Sequence, residues 1–320
     1  RQYHIAAGRK PRAYKVISRW NAYHGATMGA IGATDWLGTR HIAEPAVPGF
    51  SLIPGPMRYR NPFGMDEEAY ADFCADYLER QIQHEGPDYV SCFIAEPVMQ
   101  ANGVQVPPAR YWRRVREICD RYDVLLICDE VITGFGRTGR WFAMEHFGVE
   151  PDIMTMAKAL TAGYVPMGAV ITRADIADAL PTFRHVHTFS GHAAAAAAAN
   201  AAIGIVAREG LVEAAARKGA QFLAELREAL AGVAEVGDVR GIGHWLAIDF
   251  TADPATKAPA PDGFPAEVVR RMAAMGVIAC TTGTSIELAP PLIATEAQLS
   301  RAAEIAGRAV REAAQAMRVG

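Results

Sequence analysis

Four short apolar runs that do not alternate with polar residues constrain this chain more than any other feature. They are residues 89–98 (YVSCFIAEPV), 124–128 (VLLIC), 153–156 (IMTM) and 168–172 (GAVIT). A strand with one wet face alternates. One that reads apolar throughout is covered on both sides, as in a mostly parallel sheet with helices on either face. Between the first two runs, residues 110–122 put Tyr111, Val115, Ile118 and Cys119 on one stripe at helical spacing, with Arg113, Arg114 and Arg116 among the polar positions. The fold class that follows is a layered α/β protein.

The texture changes at residue 193. Seven consecutive alanines (193–199) open a long helix-forming tract that reads as high helix propensity and tight packing. A helix over 211–231 follows, then strand-like residues 236–250 and a proline-rich loop over 253–265. A helix over 266–275, strand pieces around Val277 and Ile286, and an amphipathic helix over 296–317 complete the chain. The expected division is a large domain over residues 1–206 and a smaller α+β domain over 207–320.

The formal charge is 32 − 35 = −3, which gives no electrostatic footprint for nucleic acid or an anionic membrane. Residues 193–207 are the most membrane-like stretch, but they include Asn200 and fall short of the ~20 residues a span needs. The five cysteines are an odd number without metal-ligand spacing, and Cys92, Cys119 and Cys128 sit in apolar runs. They read as small buried hydrophobes in a reducing compartment, which points to the cytoplasm. No secretory segment is visible, and the opening on Arg1 reads as the continuation of a longer polypeptide.

Polar residues end three of the apolar runs: Glu96, Asp129 and Lys158. Ligands of open α/β sheets gather at the carboxyl edge of the strands, so these three are expected to converge. Alone, Asp129 reads equally as a capping or ion-pair carboxylate and Lys158 as a surface lysine. Together they say more, because a carboxylate just past a buried strand is costly unless it meets a cation. Lys158 is bracketed by Met154, Met156, Ala157, Ala159 and Leu160. Such surroundings lower a lysine's pKa, as a Schiff-base nucleophile requires. Two other motifs carry less. GFGRTG (134–139) lacks dinucleotide-binding context and reads as a loop. His185, His187 and His192 lack the companion ligands of a metal site, so no metal is expected.

The segments AEPVMQANGV (95–104), VLLICDEVITGFGRTG (124–139), PDIMTMAKALTAGYVPMGAV (151–170) and HTFSGH (187–192), with YHGAT (23–27) upstream, resemble the class III pyridoxal-phosphate aminotransferases, in particular their ω-amine:pyruvate branch. The resemblance covers essentially the whole chain. It implies the fold type I architecture of pyridoxal-phosphate transferases: a mostly parallel seven-stranded sheet sandwiched by helices, plus a smaller C-terminal domain. It also implies pyridoxal 5′-phosphate as cofactor, an amine donor and a 2-oxo acid acceptor.

Residue by residue, Lys158 resembles the lysine that holds the cofactor and shuttles a proton. Asp129 resembles the carboxylate facing the pyridine nitrogen, with Val131 and Tyr23 against the two ring faces. His24 and Glu96 are taken with the cofactor-binding set. Thr188 resembles the threonine that reaches the phosphate of a neighbouring subunit's cofactor, which implies a homodimer with shared sites and allows a tetramer. Trp20 and Tyr23 stand where the branch places substrate-pocket residues.

Two departures shape the expectation. The glycine- and serine-rich phosphate loop of the family would lie upstream of Arg1. Cys280 stands where many relatives carry a carboxylate-clamping arginine, and Ala101 where glutamate-using relatives park it. Both substitutions favour a small acceptor such as pyruvate over 2-oxoglutarate, with Arg137 or a residue outside this segment left to neutralise the acceptor. The same scaffold also accommodates an aminomutase, racemase or decarboxylase, or a truncated non-catalytic homologue.

Overall fold

The computed structural model describes residues 1–36, 38–183 and 185–319. Six strands form the larger sheet: β1 (Lys15–Arg19), β2 (Phe50–Ile53), β3 (Val90–Ala95), β4 (Leu125–Asp129), β5 (Ile153–Met156) and β6 (Ala169–Thr172). Their order is β2-β1-β3-β4-β5-β6, parallel except for β6, which runs antiparallel to β5. The sheet therefore has six strands among the described residues, one fewer than the resemblance implied. No other described strand reaches the outer edge of β6, where Val170 and Ile171 are exposed.

Strand alternation sends Phe93, Leu126 and Cys128 to one face, under the helices Glu67–Glu85 and Ala109–Arg121. Trp112, Tyr111 and Leu78 fill that layer with no more than 1% exposure. Cys92 and Leu125 point to the other face, where Tyr3 and Ile176 cover them. The apolar stripe read from residues 110–122 is buried as expected. All five thiols are unpaired, and Cys92, Cys119 and Cys128 are buried as expected, with Cys74 beside them.

The alanine run forms the start of the helix Ala193–Arg208, but only Ala195 and Ala199 are buried in the single chain. One stripe packs as expected, with Ala199 in a buried cluster beside Phe135, Met156 and Leu160, while Ala198, Ala201, Ala202, Ile205 and Val206 face a cavity.

A second core surrounds an antiparallel sheet of β7 (Val236–Ile242), β8 (Trp245–Asp253), β9 (Ala258–Pro259), β10 (Cys280–Thr282) and β11 (Ser285–Leu288). The strand-like stretch 236–250 is thus a hairpin, turned at Gly243 in a left-handed conformation (φ 57°). The helices Leu211–Ala229, Phe264–Ala274 and Glu296–Val319 complete this core. It meets the larger sheet along a tight seam, where the wholly buried guanidinium group of Arg240 donates from Nε to Gly103 O (2.6 Å) and pairs with Asp249 (3.0 Å).

Gly219, inside the helix Leu211–Ala229, lies against the hairpin turn so closely that an added Cβ would collide with the carbonyl of Gly243. Gly219→Ala is therefore expected to destabilise the chain by about 1–3 kcal/mol, despite alanine's better helix propensity. Urea unfolding monitored by circular dichroism checks this.

Candidate active site

Asp129 ends β4, one residue before the chain leaves the sheet. Its carboxylate is buried at 7% exposure and held from two sides. The Nδ1–H of His24 donates to Oδ2 (2.8 Å), and the backbone N–H of Val131 donates to Oδ1 (3.1 Å). His24 lies in the loop after β1, and its backbone N–H is fixed by Thr34 Oγ1 (2.9 Å). The far ring nitrogen of His24 is buried without a partner. His24 thus sits behind Asp129 and orients it.

Glu96 follows β3 and is buried beside Arg19, the last residue of β1. Arg19 Nη2 donates to Glu96 O (2.6 Å) and lies 3.5 Å from its carboxylate, with the guanidinium group stacked over Trp112 at 5.7 Å. Burial pushes the Glu96 carboxyl pKa up, against the opposing pull of His24 and Arg19.

Lys158 follows β5, with its backbone in the left-handed region (φ 44°). For a non-glycine residue that conformation costs on the order of 1–3 kcal/mol, and such strain clusters at functional positions. In the single chain Lys158 keeps an open side. Burial of its inner side still lowers its pKa, while Asp129, Glu287 and Glu96 pull the other way.

These groups meet in one cleft of about 120 Å³, lined by Tyr23, His24, Glu96, Asp129, Val131 and Lys158 among others. Tyr23 is braced edge-on by Trp36, with ring centroids 5.4 Å apart. A larger cavity of about 990 Å³ opens beside it and also includes Lys158 in its wall. Two expected residues lie elsewhere. Trp20 is half-buried after β1, where its N–H donates to Ile53 O (2.7 Å), and it lines neither cavity. Thr188 is exposed and likewise outside both. The loop 134–139 carries Arg137 into the wall of the larger cavity. Ala101 is buried at the turn after β3.

Sequence reasoning missed Arg19 and Glu287. Glu287, on β11, is buried; Oε2 accepts from Trp245 Nε1 (3.0 Å) and Oε1 has no partner. The exposed Cys280 is its cross-strand neighbour.

The profile of the aminotransferase class-III family matches residues 1–310. The chain belongs to that family. It is 37% identical to a taurine–pyruvate aminotransferase of Rhodobacter capsulatus, over 95% of this chain and 69% of that one. It is 35% identical to a putrescine–pyruvate aminotransferase of Pseudomonas aeruginosa, over 99% and 70%. Among solved structures, an amine transaminase from an uncultivated Pseudomonas species superposes with a TM-score of 0.91 at 39% identity, over 98% of this chain and 72% of that one. An omega transaminase from Pseudomonas jessenii in complex with PMP gives 0.94 at 35%, over 100% and 72%.

As a class III aminotransferase the chain takes pyridoxal phosphate as cofactor. Its cleft fits the cofactor's ring: a buried carboxylate for a ring N–H, apolar walls from Val131 and Tyr23, and an amine at the rim.

Because burial outweighs the three carboxylates, competitive acetylation of the cofactor-free protein should titrate Lys158 below the ordinary lysine value of 10.5. Asp129→Asn removes a charge that favours the ammonium form and should move the midpoint lower still. Peptide mass spectrometry across a pH series reads both. A midpoint that rises in Asp129→Asn contradicts the assigned geometry.

Proposed function

We propose that this aminotransferase moves an amino group from an amine or ω-amino acid to a 2-oxo acid, with pyruvate as the acceptor, in a ping-pong sequence. The observation that carries the reading is the meeting of Lys158 and Asp129 in one cleft that Tyr23 and Val131 also line. The relatives named above act on pyruvate, and the aminomutase, racemase and decarboxylase readings have no counterpart among them.

When bound, the cofactor supplies a conjugated electron sink for the electron pair left as the amine-bearing carbon loses its proton. The rest falls to the chain. Lys158 would hold the cofactor through its Nζ and would carry the proton at that atom. The lowered pKa makes neutral amine available closer to physiological pH. Asp129, oriented by His24 and the Val131 N–H, would accept the hydrogen bond of the cofactor's ring N–H and favour its protonated form. Val131 and Tyr23 would pack against the ring, and Glu96, held by Arg19, lines the same cleft.

We further infer a homodimer with shared sites, an arrangement that leaves room for a tetramer. The exposed Thr188 and the open edge of β6 support an interface there. Five unpaired thiols support the cytoplasm as the compartment.

Borohydride should fix pyridoxal phosphate to wild-type protein at Lys158 but not to Lys158→Ala, whose transamination rate should fall at least about a hundredfold. Incubation with an amine donor alone should convert the bound cofactor to its amine form without any acceptor, as followed by absorbance. Loss of carbon dioxide from the donor, or racemisation without that conversion, would refute the transaminase reading.

A further inference from the structure

The acceptor half of this reaction poses an electrostatic problem. A 2-oxo acid carries a carboxylate, and a carboxylate entering an apolar cavity needs a cation that is already in place. The cavity of about 990 Å³ beside Lys158 is walled mainly by alanine, isoleucine, leucine and phenylalanine side chains, and its lining holds two charged residues, Lys158 and Arg137. Lys158 is committed to the cofactor and the proton.

Arg137 is a poor candidate for a purely structural ion pair, because no carboxylate among the described residues lies within salt-bridge distance of it. Its Nη1 donates to the backbone carbonyls of His244 (2.9 Å) and Pro290 (2.7 Å), which fixes the plane of the guanidinium group and leaves its charge uncompensated. Nε and Nη2 have no protein partner among the described residues, and neither is sealed away from solvent. That free edge offers the two parallel donors that meet both oxygens of a carboxylate.

The loop that presents this edge is tied down at several points. Glu130, at its start, accepts from the backbone N–H groups of Ala143 and Met144 (3.0 Å each) and so ties the two ends of the segment together. Arg137 O accepts the N–H of His244 (2.9 Å), and an added Cβ at Gly139 would strike the backbone of Ala216. Burial without a counter-charge lowers the Arg137 pKa, the state that an incoming anion relieves. On the opposite strand pair, Cys280 faces Glu287, whose buried carboxyl offers nothing to an anion.

We propose that Arg137 is the residue that binds the carboxylate of the 2-oxo acid acceptor and selects such acids over uncharged carbonyl compounds. The proposal rests on the transaminase reading given above.

The test uses holoenzyme already converted to its amine form by a donor and compares pyruvate with acetaldehyde, which lacks the carboxylate. The quantity read is the ratio of the two kcat/KM values. In Arg137→Gln the ratio should fall on the order of a hundredfold, chiefly through a higher KM for pyruvate. Arg137→Lys, which keeps the charge but loses the fork, should fall in between. Because structural damage lowers both acceptors together, a ratio unchanged in both variants overturns the assignment of Arg137. A wild-type enzyme that takes amine from the donor and passes it to neither acceptor instead overturns the transaminase reading, and the assignment falls with it.

Discussion

The structure of this site depends on one buried carboxylate. Asp129 stands at the carboxyl edge of a strand that is apolar up to that residue, at 7% exposure, where an unpartnered charge costs several kcal/mol. Its cost is met locally, by the ring N–H of His24 from one neighbouring loop and the N–H of Val131 from its own. Those bonds also determine which way the carboxylate faces. Everything in the cleft is arranged about it, with Tyr23 and Val131 as walls and Lys158 at the rim.

Parallel pairing does the long-range positioning. Residues 19, 96, 129 and 158 are far apart in sequence, yet each ends or follows a strand, and β1, β3, β4 and β5 lie side by side. Aligned strand ends bring the four to one edge without any loop having to reach. The smaller sheet closes the other side, with Glu287 close enough for its charge to act on Lys158 and with the His244 and Pro290 carbonyls gripping Arg137. The site is therefore made between two cores, and the seam at Arg240 contributes to its shape.

Much of this was legible in the sequence, for a physical reason. The runs at 89–98, 124–128, 153–156 and 168–172 became β3 to β6 because unbroken apolar strands need cover on both faces. The helix over Ala109–Arg121 showed its stripe openly. β1 and β2 are not legible because KVISR and FSLI mix polar and apolar residues, and Arg19 is hidden with them. The helix Glu67–Glu85 carries a readable sequence signal, the Asp66 cap accepting from Ala69 N, with Tyr70, Cys74, Leu78 and Ile82 buried at spacings of four. Glu287 could not have been found from pattern, since one acid in a short strand gains its meaning only from the neighbours that the hairpin brings to it.

The account stands or falls on whether Asp129 holds a proton on the cofactor's ring nitrogen inside this cleft. Nuclear magnetic resonance of the holoenzyme loaded with pyridoxal phosphate labelled with nitrogen-15 in the ring reads that directly. A protonated-nitrogen chemical shift that persists through neutral and mildly alkaline pH in the wild type, and is lost in Asp129→Ala, is the predicted result. A deprotonated ring nitrogen in the wild type at neutral pH, or an unaltered signal in the variant, would contradict it.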